Sequence, residues 1–188
     1  MDAGTNTYWL DDSLRITDVN EAWDQFAQEN DGDQALGSLI RGRPLWDFVV
    51  DDVTRMWLEV LIKLARMRNE QIERPYRCDS PELKRYMLMK ITPEAQDSLR
   101  IDHILLSTAP RSRPVHIRHA GTGSRRSVAH RRCSMCGRVA IGDAWLEPDA
   151  DPVPEGKTLT VIYTVCDDCV KALEPGGGGF AAAHMAFK

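Results

Sequence analysis

Two cysteine pairs decide the fold of the last third of the chain: Cys133-Ser-Met-Cys136-Gly137 and, after a gap of 29 residues, Cys166-Asp-Asp-Cys169. Each Cys-x-x-Cys pair can place two thiolates on one ion, and the glycine after the first pair permits the tight turn of a metal-binding knuckle. Four thiolates suit tetrahedral Zn²⁺ and leave no open position for a catalytic water. We therefore predict a structural zinc site formed by Cys133, Cys136, Cys166 and Cys169.

The module around these cysteines, predicted at residues 133–175, is too small to bury a sufficient apolar core, so a metal that joins its ends makes physical sense. We expect strands at Val139–Leu146 and Leu159–Val165 and a short helix at Asp167–Leu173. A rubredoxin-like iron centre is the alternative that four thiolates leave open. His130 could replace one cysteine as a ligand, although four cysteines already suffice.

The stretch before the first pair, residues 111–132, holds seven arginines and three histidines but no acidic residue. It lacks apolar periodicity, which predicts an arginine-rich linker. Residues 1–110 carry 13 Lys and Arg against 20 Asp and Glu, and residues 133–188 carry 4 against 8. The charge pattern therefore predicts two acidic modules joined by a basic segment. Residues 176–188 begin with four glycines and are predicted to be a flexible tail.

The order of predicted elements in residues 1–110 indicates an α+β module. Short strands are expected at Thr7–Leu10 and Leu14–Val19, and Asn20 then stands where a helix N-cap is favoured. Asp51 or Asp52 can cap a long helix whose apolar residues recur at helical spacing, namely Val53, Met56, Trp57, Val60, Leu61 and Leu64. Three further strands are predicted at Gln71–Arg77, Lys84–Thr92 and Leu99–Thr108. This order favours helices packed on one face of a five-stranded antiparallel sheet.

The same module resembles a PAS domain. Leu14-Arg-Ile-Thr-Asp-Val-Asn-Glu-Ala-Trp-Asp-Gln-Phe-Ala is similar to the opening of that family, where a strand ends in Asn and a short helix with aromatic core residues follows. Gly42-Arg-Pro-Leu-Trp-Asp-Phe-Val resembles the middle of the family, and the resemblance covers roughly residues 6–109. It implies a sensory or protein-interaction domain, often dimeric, with a cavity between the sheet and the long helix.

The residues limit which cofactor a PAS-like cavity could hold. Haem would need an axial ligand, and the first histidine of the chain is His103 on the last predicted strand. Covalent flavin photochemistry would need a cysteine before the long helix, where the sequence has none. Cys78 is a further thiol, for which a plain structural role is the commoner one. The cofactor-binding residues, and whether the cavity holds haem, flavin, another small ligand or nothing, are left open.

The cysteine module in turn resembles a small tail found after sensory or receiver domains in some bacterial signalling proteins. The matching residues are Cys133-x-x-Cys136-Gly-Arg-Val and Trp145-Leu-Glu. Where relatives carry His-Gly-Ile before the second pair, this chain has Tyr163-Thr-Val.

These observations favour a bacterial signalling sensor or adaptor that acts through a protein partner, with a homodimer as one arrangement. The alternative is a nucleic-acid-binding transcriptional regulator that uses the zinc module and the arginine-rich segment, although a pI near 5.7 argues against it. No nucleophile–base pair or phosphate-binding loop is visible in the sequence, so we do not expect an enzyme. The longest apolar runs are short and the N-terminus has no signal-like core, which predicts a cytoplasmic protein without a membrane span.

Overall fold

The computed structural model describes residues 4–30, 32–49, 51–120, 129–153 and 158–172. These residues form two sheets of five strands together with several helices, so the predicted α+β class is confirmed. The chain divides into two compact units, residues 1–74 with 87–106 and residues 75–86 with 107–188. The domain boundaries predicted from composition remain predictions, and the predicted tail at 176–188 lies outside the described residues.

The first sheet and its helices follow the predicted order. Their bounds are β1 Asn6–Leu10, β2 Ile16–Val19, α1 Glu21–Glu29, α2 Gly37–Ile40, α3 Asp52–Arg68, β3 Ile72–Arg77, β4 Leu83–Pro93 and β5 Leu99–Pro110. The strand order across the sheet is β2-β1-β5-β4-β3. Tyr8 of β1 lies opposite Val19 of β2 on one side and Ile101 of β5 on the other, both in antiparallel pairing. β1 and β5, which are the first and last strands of this sheet along the chain, are therefore neighbours.

Asn20 connects three elements of the first unit. Its side-chain oxygen accepts a hydrogen bond from the Trp23 backbone N–H at 3.0 Å, which caps α1 as the sequence predicted. The same oxygen accepts from the Thr7 N–H at 3.0 Å, and its amide nitrogen donates to the Thr5 carbonyl at 2.7 Å. One side chain thus fixes the angle at which the chain leaves β2 and enters α1.

The buried face of the long helix α3 coincides only in part with the predicted apolar residues, of which Leu61 is buried. Asp51 caps it by accepting from the Thr54 N–H at 2.8 Å. The buried residues are Leu58, Leu61, Ile62 and Ala65. Met56 and Val60, expected in the core, are 63% and 58% exposed. The helix carries two apolar stripes, and helical periodicity alone does not say which of them the sheet covers.

The second sheet consists of β6 Ile117–His119, β7 His130–Cys133, β8 Val139–Ile141, β9 Ala144–Leu146 and β10 Leu159–Thr164, and α4 Asp167–Lys171 follows it. Its strand order is β6-β10-β7-β8-β9. Both neighbours of β10 run parallel to it, whereas β7, β8 and β9 pair antiparallel. The prediction of one strand over Val139–Leu146 is wrong, because Gly142 adopts a φ of +59° and turns this segment into a hairpin.

The core of the second unit lies on one face of this sheet. It consists of Val115, Val139, Val153, Leu159 and Val161, with Ile117, Ile141 and Tyr163 packed against it. Two of these residues come from the predicted linker, 111–132, and Arg111 within it is 8% exposed. Residues 121–128 of that stretch lie outside the described residues. The described part of the stretch thus contributes β6, the start of β7, core residues and a buried arginine to the second unit.

Candidate metal centre

All four predicted cysteine ligands meet at one buried point. Cys133 ends β7, Cys136 follows in the turn, Cys166 caps α4, and Cys169 lies on that helix. Each cysteine is between 1% and 3% exposed, and their sulfur atoms all lie within 4.8 Å of one another. This arrangement can bind a metal ion through four thiolates.

The sulfur spacing fits a tetrahedral ion better than a disulfide. The Sγ atoms of Cys136 and Cys166 are 3.8 Å apart. Four sulfur atoms at about 2.3 Å from a central Zn²⁺ would be separated by roughly 3.8 Å, whereas a disulfide requires about 2.05 Å. All five cysteines of the chain are unpaired by disulfides. The donor set therefore fits a tetrathiolate metal site.

The turn between Cys133 and Cys136 has the backbone of a metal knuckle. Gly137 has a φ of +74°, which a residue with a side chain adopts only with strain. Its N–H donates to the Cys133 carbonyl at 3.0 Å, and the Cys133 N–H donates to the Arg138 carbonyl at 2.8 Å. The Cys166 N–H also points at the Cys133 sulfur, at 3.4 Å. Backbone donors thus stabilise thiolate character at Cys133.

Three of the clustered thiols perturb one another's pKa values. Sulfur–hydrogen donors on Cys136 and Cys169 lower the pKa of Cys133. The hydrogen bond to Cys133 and burial raise the pKa of Cys136 to about 12, and hydrogen bonds to Cys133 and Cys136 raise the pKa of Cys169. Because only deprotonated cysteines bind the ion, metal binding releases the thiol protons.

A buried carboxylate lies directly against the knuckle, and sequence analysis did not identify it. Asp79 accepts two hydrogen bonds from the Arg77 guanidinium, both at 2.7 Å, and one from Arg111 at 2.6 Å. Arg132 approaches the same carboxylate at 3.6 Å. The side chains of Asp79, Arg77 and Arg111 are 2%, 3% and 1% exposed. A Cβ built on Gly137 would lie 3.0 Å from an Asp79 oxygen.

A second buried carboxylate extends this ion network. Asp149 lies 3.2 Å from Arg111 and 3.1 Å from the Lys84 ammonium, and it accepts from the Ser112 N–H at 2.9 Å. Burial alone would raise the pKa of Asp149, but the Ser112 N–H and Lys84 outweigh it and lower the pKa to about 2. Glu147 joins the same network through Arg77 and Lys84. Asp149 is therefore ionised at neutral pH.

Three other residues discussed from the sequence, Cys78, His103 and His130, lie outside the cluster of four cysteines. Burial raises the pKa of the Cys78 thiol, and His130 lies at the start of β7. His103 stacks on Tyr8 with ring centroids 5.6 Å apart, and burial lowers its pKa to about 4. His103 is therefore neutral at pH 7.

An open pocket of about 580 Å³ lies in the first unit. It is lined by Trp9, Leu10, Asp11, Asp12, Thr17, Asp18, Glu94, Gln96 and Ser98. These residues come from β1, β2, the turn that joins them and the turn between β4 and β5, rather than from the long helix α3. The pocket is therefore different from the cavity that the PAS resemblance implies.

Comparison of the chain with protein-family models and with curated proteins found no match. Among the described residues, no helix is long and apolar enough to cross a membrane.

Proposed function

We propose that the chain is a bacterial signal-transduction sensor or adaptor. Its first unit acts as a PAS-like domain that senses a small ligand or a partner, and its second unit is a structural zinc module that mediates output by protein contact. The observation that carries the sensory part is the order of elements: two strands, short helices, the long helix α3 and three further strands in one antiparallel sheet. The Asn20 cap between β2 and α1 agrees with the opening of the PAS family, where a strand ends in Asn before a short helix.

Zinc is the metal that the four-cysteine site of the second unit supports best. Four buried thiolates saturate a tetrahedral ion, so the site has no open position for substrate or water. Zn²⁺ has no preference for another geometry and does not cycle between oxidation states, which suits a structural role. A rubredoxin-like iron centre uses the same four ligands and would be recognised by its red colour.

A protein partner is supported by the outer face of α3. Met56, Val60 and Met67 lie at helical spacing along this face and are 63%, 58% and 83% exposed. With Lys63 they repeat at intervals of four, three and four residues, which is the spacing of a helix–helix seam. An apolar stripe of this kind favours contact with another protein, including a second copy of this chain.

The adaptor proposal can be tested with a photo-crosslinking amino acid at position 60 of the full chain, expressed in a bacterial host. We expect one specific protein adduct, either a signalling protein or a second copy of the chain. The matched control places the crosslinker at Gln28, an exposed position on α1. Crosslinks to nucleic acid only, or the same adducts from both positions, would contradict the proposal.

One observation favours the alternative, a nucleic-acid-binding regulator. In the second sheet, Arg118 lies opposite Thr160 and Arg131 opposite Ile162. Thr160 and Ile162 share one side of β10, so both arginines lie on the same face of the sheet. The Arg131 guanidinium is 5.7 Å from the Trp145 ring. Arginines beside an aromatic ring on a sheet are typical of surfaces that bind single-stranded nucleic acid.

If this face binds nucleic acid, the double substitution Arg118→Ala and Arg131→Ala should weaken binding of a fluorescent oligothymidine at low salt. Removing one arginine–phosphate ion pair should reduce the slope of log K against log salt by about 0.7, so removing two should reduce it by about 1.4. Fluorescence anisotropy over a series of salt concentrations measures this slope. Arg41→Ala, an exposed arginine of the first unit, is the control. Equal slopes for the double variant and the parent chain would reject this alternative.

A further inference from the structure

The knuckle is held by a segment that lies far from it in sequence. Residues 75–86 belong to the second unit, although they precede Cys133 by 47 to 58 positions. The Arg77 backbone N–H donates to the Met135 carbonyl at 2.8 Å, inside the first Cys-x-x-Cys pair. This hydrogen bond connects the segment 75–86 directly to the peptide that carries two of the four sulfur atoms.

The same segment reaches the other end of the knuckle through Asp79, which lies beside Arg132 of β7. The Arg132 Nε donates to the Gly137 carbonyl at 3.3 Å, while its terminal nitrogen lies 3.6 Å from Asp79. Asp79 also holds Arg77, the residue whose N–H binds Met135. The carboxylate therefore orients the Arg132 guanidinium, which donates to Gly137, and anchors the side chain of Arg77, whose backbone N–H donates to Met135.

Space beside Gly137 is limited. An Asp79 oxygen lies 3.0 Å from the position that a Cβ on Gly137 would occupy. The Arg85 backbone N–H donates to the other Asp79 oxygen at 3.2 Å, so the carboxylate cannot move away without losing a backbone donor. With bonds to Arg77 and Arg111 as well, Asp79 is fixed on several sides.

We propose that Asp79 is a positioning residue of the metal centre, which holds the Cys133–Gly137 knuckle in the geometry that the ion requires. This inference rests on the proposed metal binding by the four cysteines. It assigns to the segment 75–86 a role in metal affinity, since partners that orient the ligands typically contribute about 10- to 100-fold to affinity. By linkage, a bound ion should in turn stabilise this segment.

The test is titration of Co²⁺, and of Zn²⁺ in competition with a chelator, into the full chain and three variants. Asp79→Asn keeps the shape of the side chain and removes its charge. Val161→Ala removes apolar contacts from the core of the second unit and controls for general destabilisation. Asp143→Asn changes an exposed acid in the turn between β8 and β9 and controls for net charge.

We expect Asp79→Asn to weaken metal binding at least about 10-fold more than Val161→Ala and to change the visible Co²⁺ spectrum, because the sulfur geometry changes. Val161→Ala and Asp143→Asn should keep the parent spectrum. If Asp79→Asn does not fold, Asp79→Glu retains the charge and displaces the carboxylate toward Gly137. Its spectrum should then differ from the parent spectrum.

Two results would overturn the inference, and they are distinguishable. A parent chain that binds neither Co²⁺ nor Zn²⁺ would remove the metal proposal and this inference with it. A parent chain that binds metal, with Asp79 variants that match Val161→Ala in both affinity and spectrum, would leave the metal site in place and show that Asp79 has only a general structural role.

Discussion

Replacing Cys136 with serine should abolish metal binding by the full chain and destabilise its second unit. A serine hydroxyl is a poor ligand for a soft metal site, and three thiolates cannot complete the tetrahedron. Structural zinc contributes about 10–16 kcal/mol in small modules at neutral pH, comparable with the whole stability of a domain. We therefore expect metal content to fall from about one equivalent to a trace, measured by mass spectrometry of the intact protein under native conditions.

Cys78→Ser is the matched control for this substitution, since Cys78 is the one cysteine outside the cluster. It should retain one equivalent of metal. Hydrogen exchange should show the largest loss of protection for Cys136→Ser within residues 129–153 and 158–172. A Cys136→Ser protein with unchanged metal content and unchanged melting temperature would disprove the assignment of the four ligands.

The parts of the structure that sequence could predict are those determined by neighbouring residues. Each Cys-x-x-Cys pair requires only local geometry, and the need of one ion for four ligands predicts that the two pairs come together, as they do. The Asn20 cap was predictable for the same reason, because a cap needs only its own side chain and the next turn of helix. Strong local preferences of this kind need no information about distant residues.

The sequence was less informative where the partner of a residue lies far away. Strands β6 and β7 read Ile-Arg-His and His-Arg-Arg-Cys, without the alternation that marks a strand. They form because β10 supplies parallel pairing on both of its sides, from a segment tens of residues later. Composition suggested a solvated linker here, since charged residues are usually exposed.

The same limitation applies to the ion network around the knuckle. Asp79 lies in a stretch, Cys78-Asp-Ser-Pro, that reads as an ordinary turn. Nothing local distinguishes an aspartate that will be buried among arginines from one that caps a turn. Only the fold brings Arg111 and Arg132 to it, across 32 and 53 positions of sequence.

Replacing Arg111 with alanine should therefore cost about 3–5 kcal/mol in the free energy of unfolding. The Arg111 side chain is 1% exposed and donates to Asp79 at 2.6 Å and to Asp149 at 3.2 Å. Its removal leaves two buried carboxylates with one fewer cation. Leaving a buried charge uncompensated costs more free energy than losing an exposed ion pair. Urea unfolding of the metal-saturated full chain, followed by circular dichroism, measures the difference.

Arg118→Ala provides the comparison within the same arginine-rich stretch. Arg118 is exposed, and its guanidinium donates a hydrogen bond to the Thr160 hydroxyl at 3.4 Å, so we expect a change within about 0.5 kcal/mol. Arg111 is a buried partner of two carboxylates, whereas Arg118 is exposed, and composition does not distinguish them. Comparing the two substitutions separates these roles. If both substitutions had the same small effect, Arg111 would not be a buried member of the network in solution. A large loss for Arg111→Ala alone would show that this basic segment is part of the core of the second unit rather than a linker between two modules.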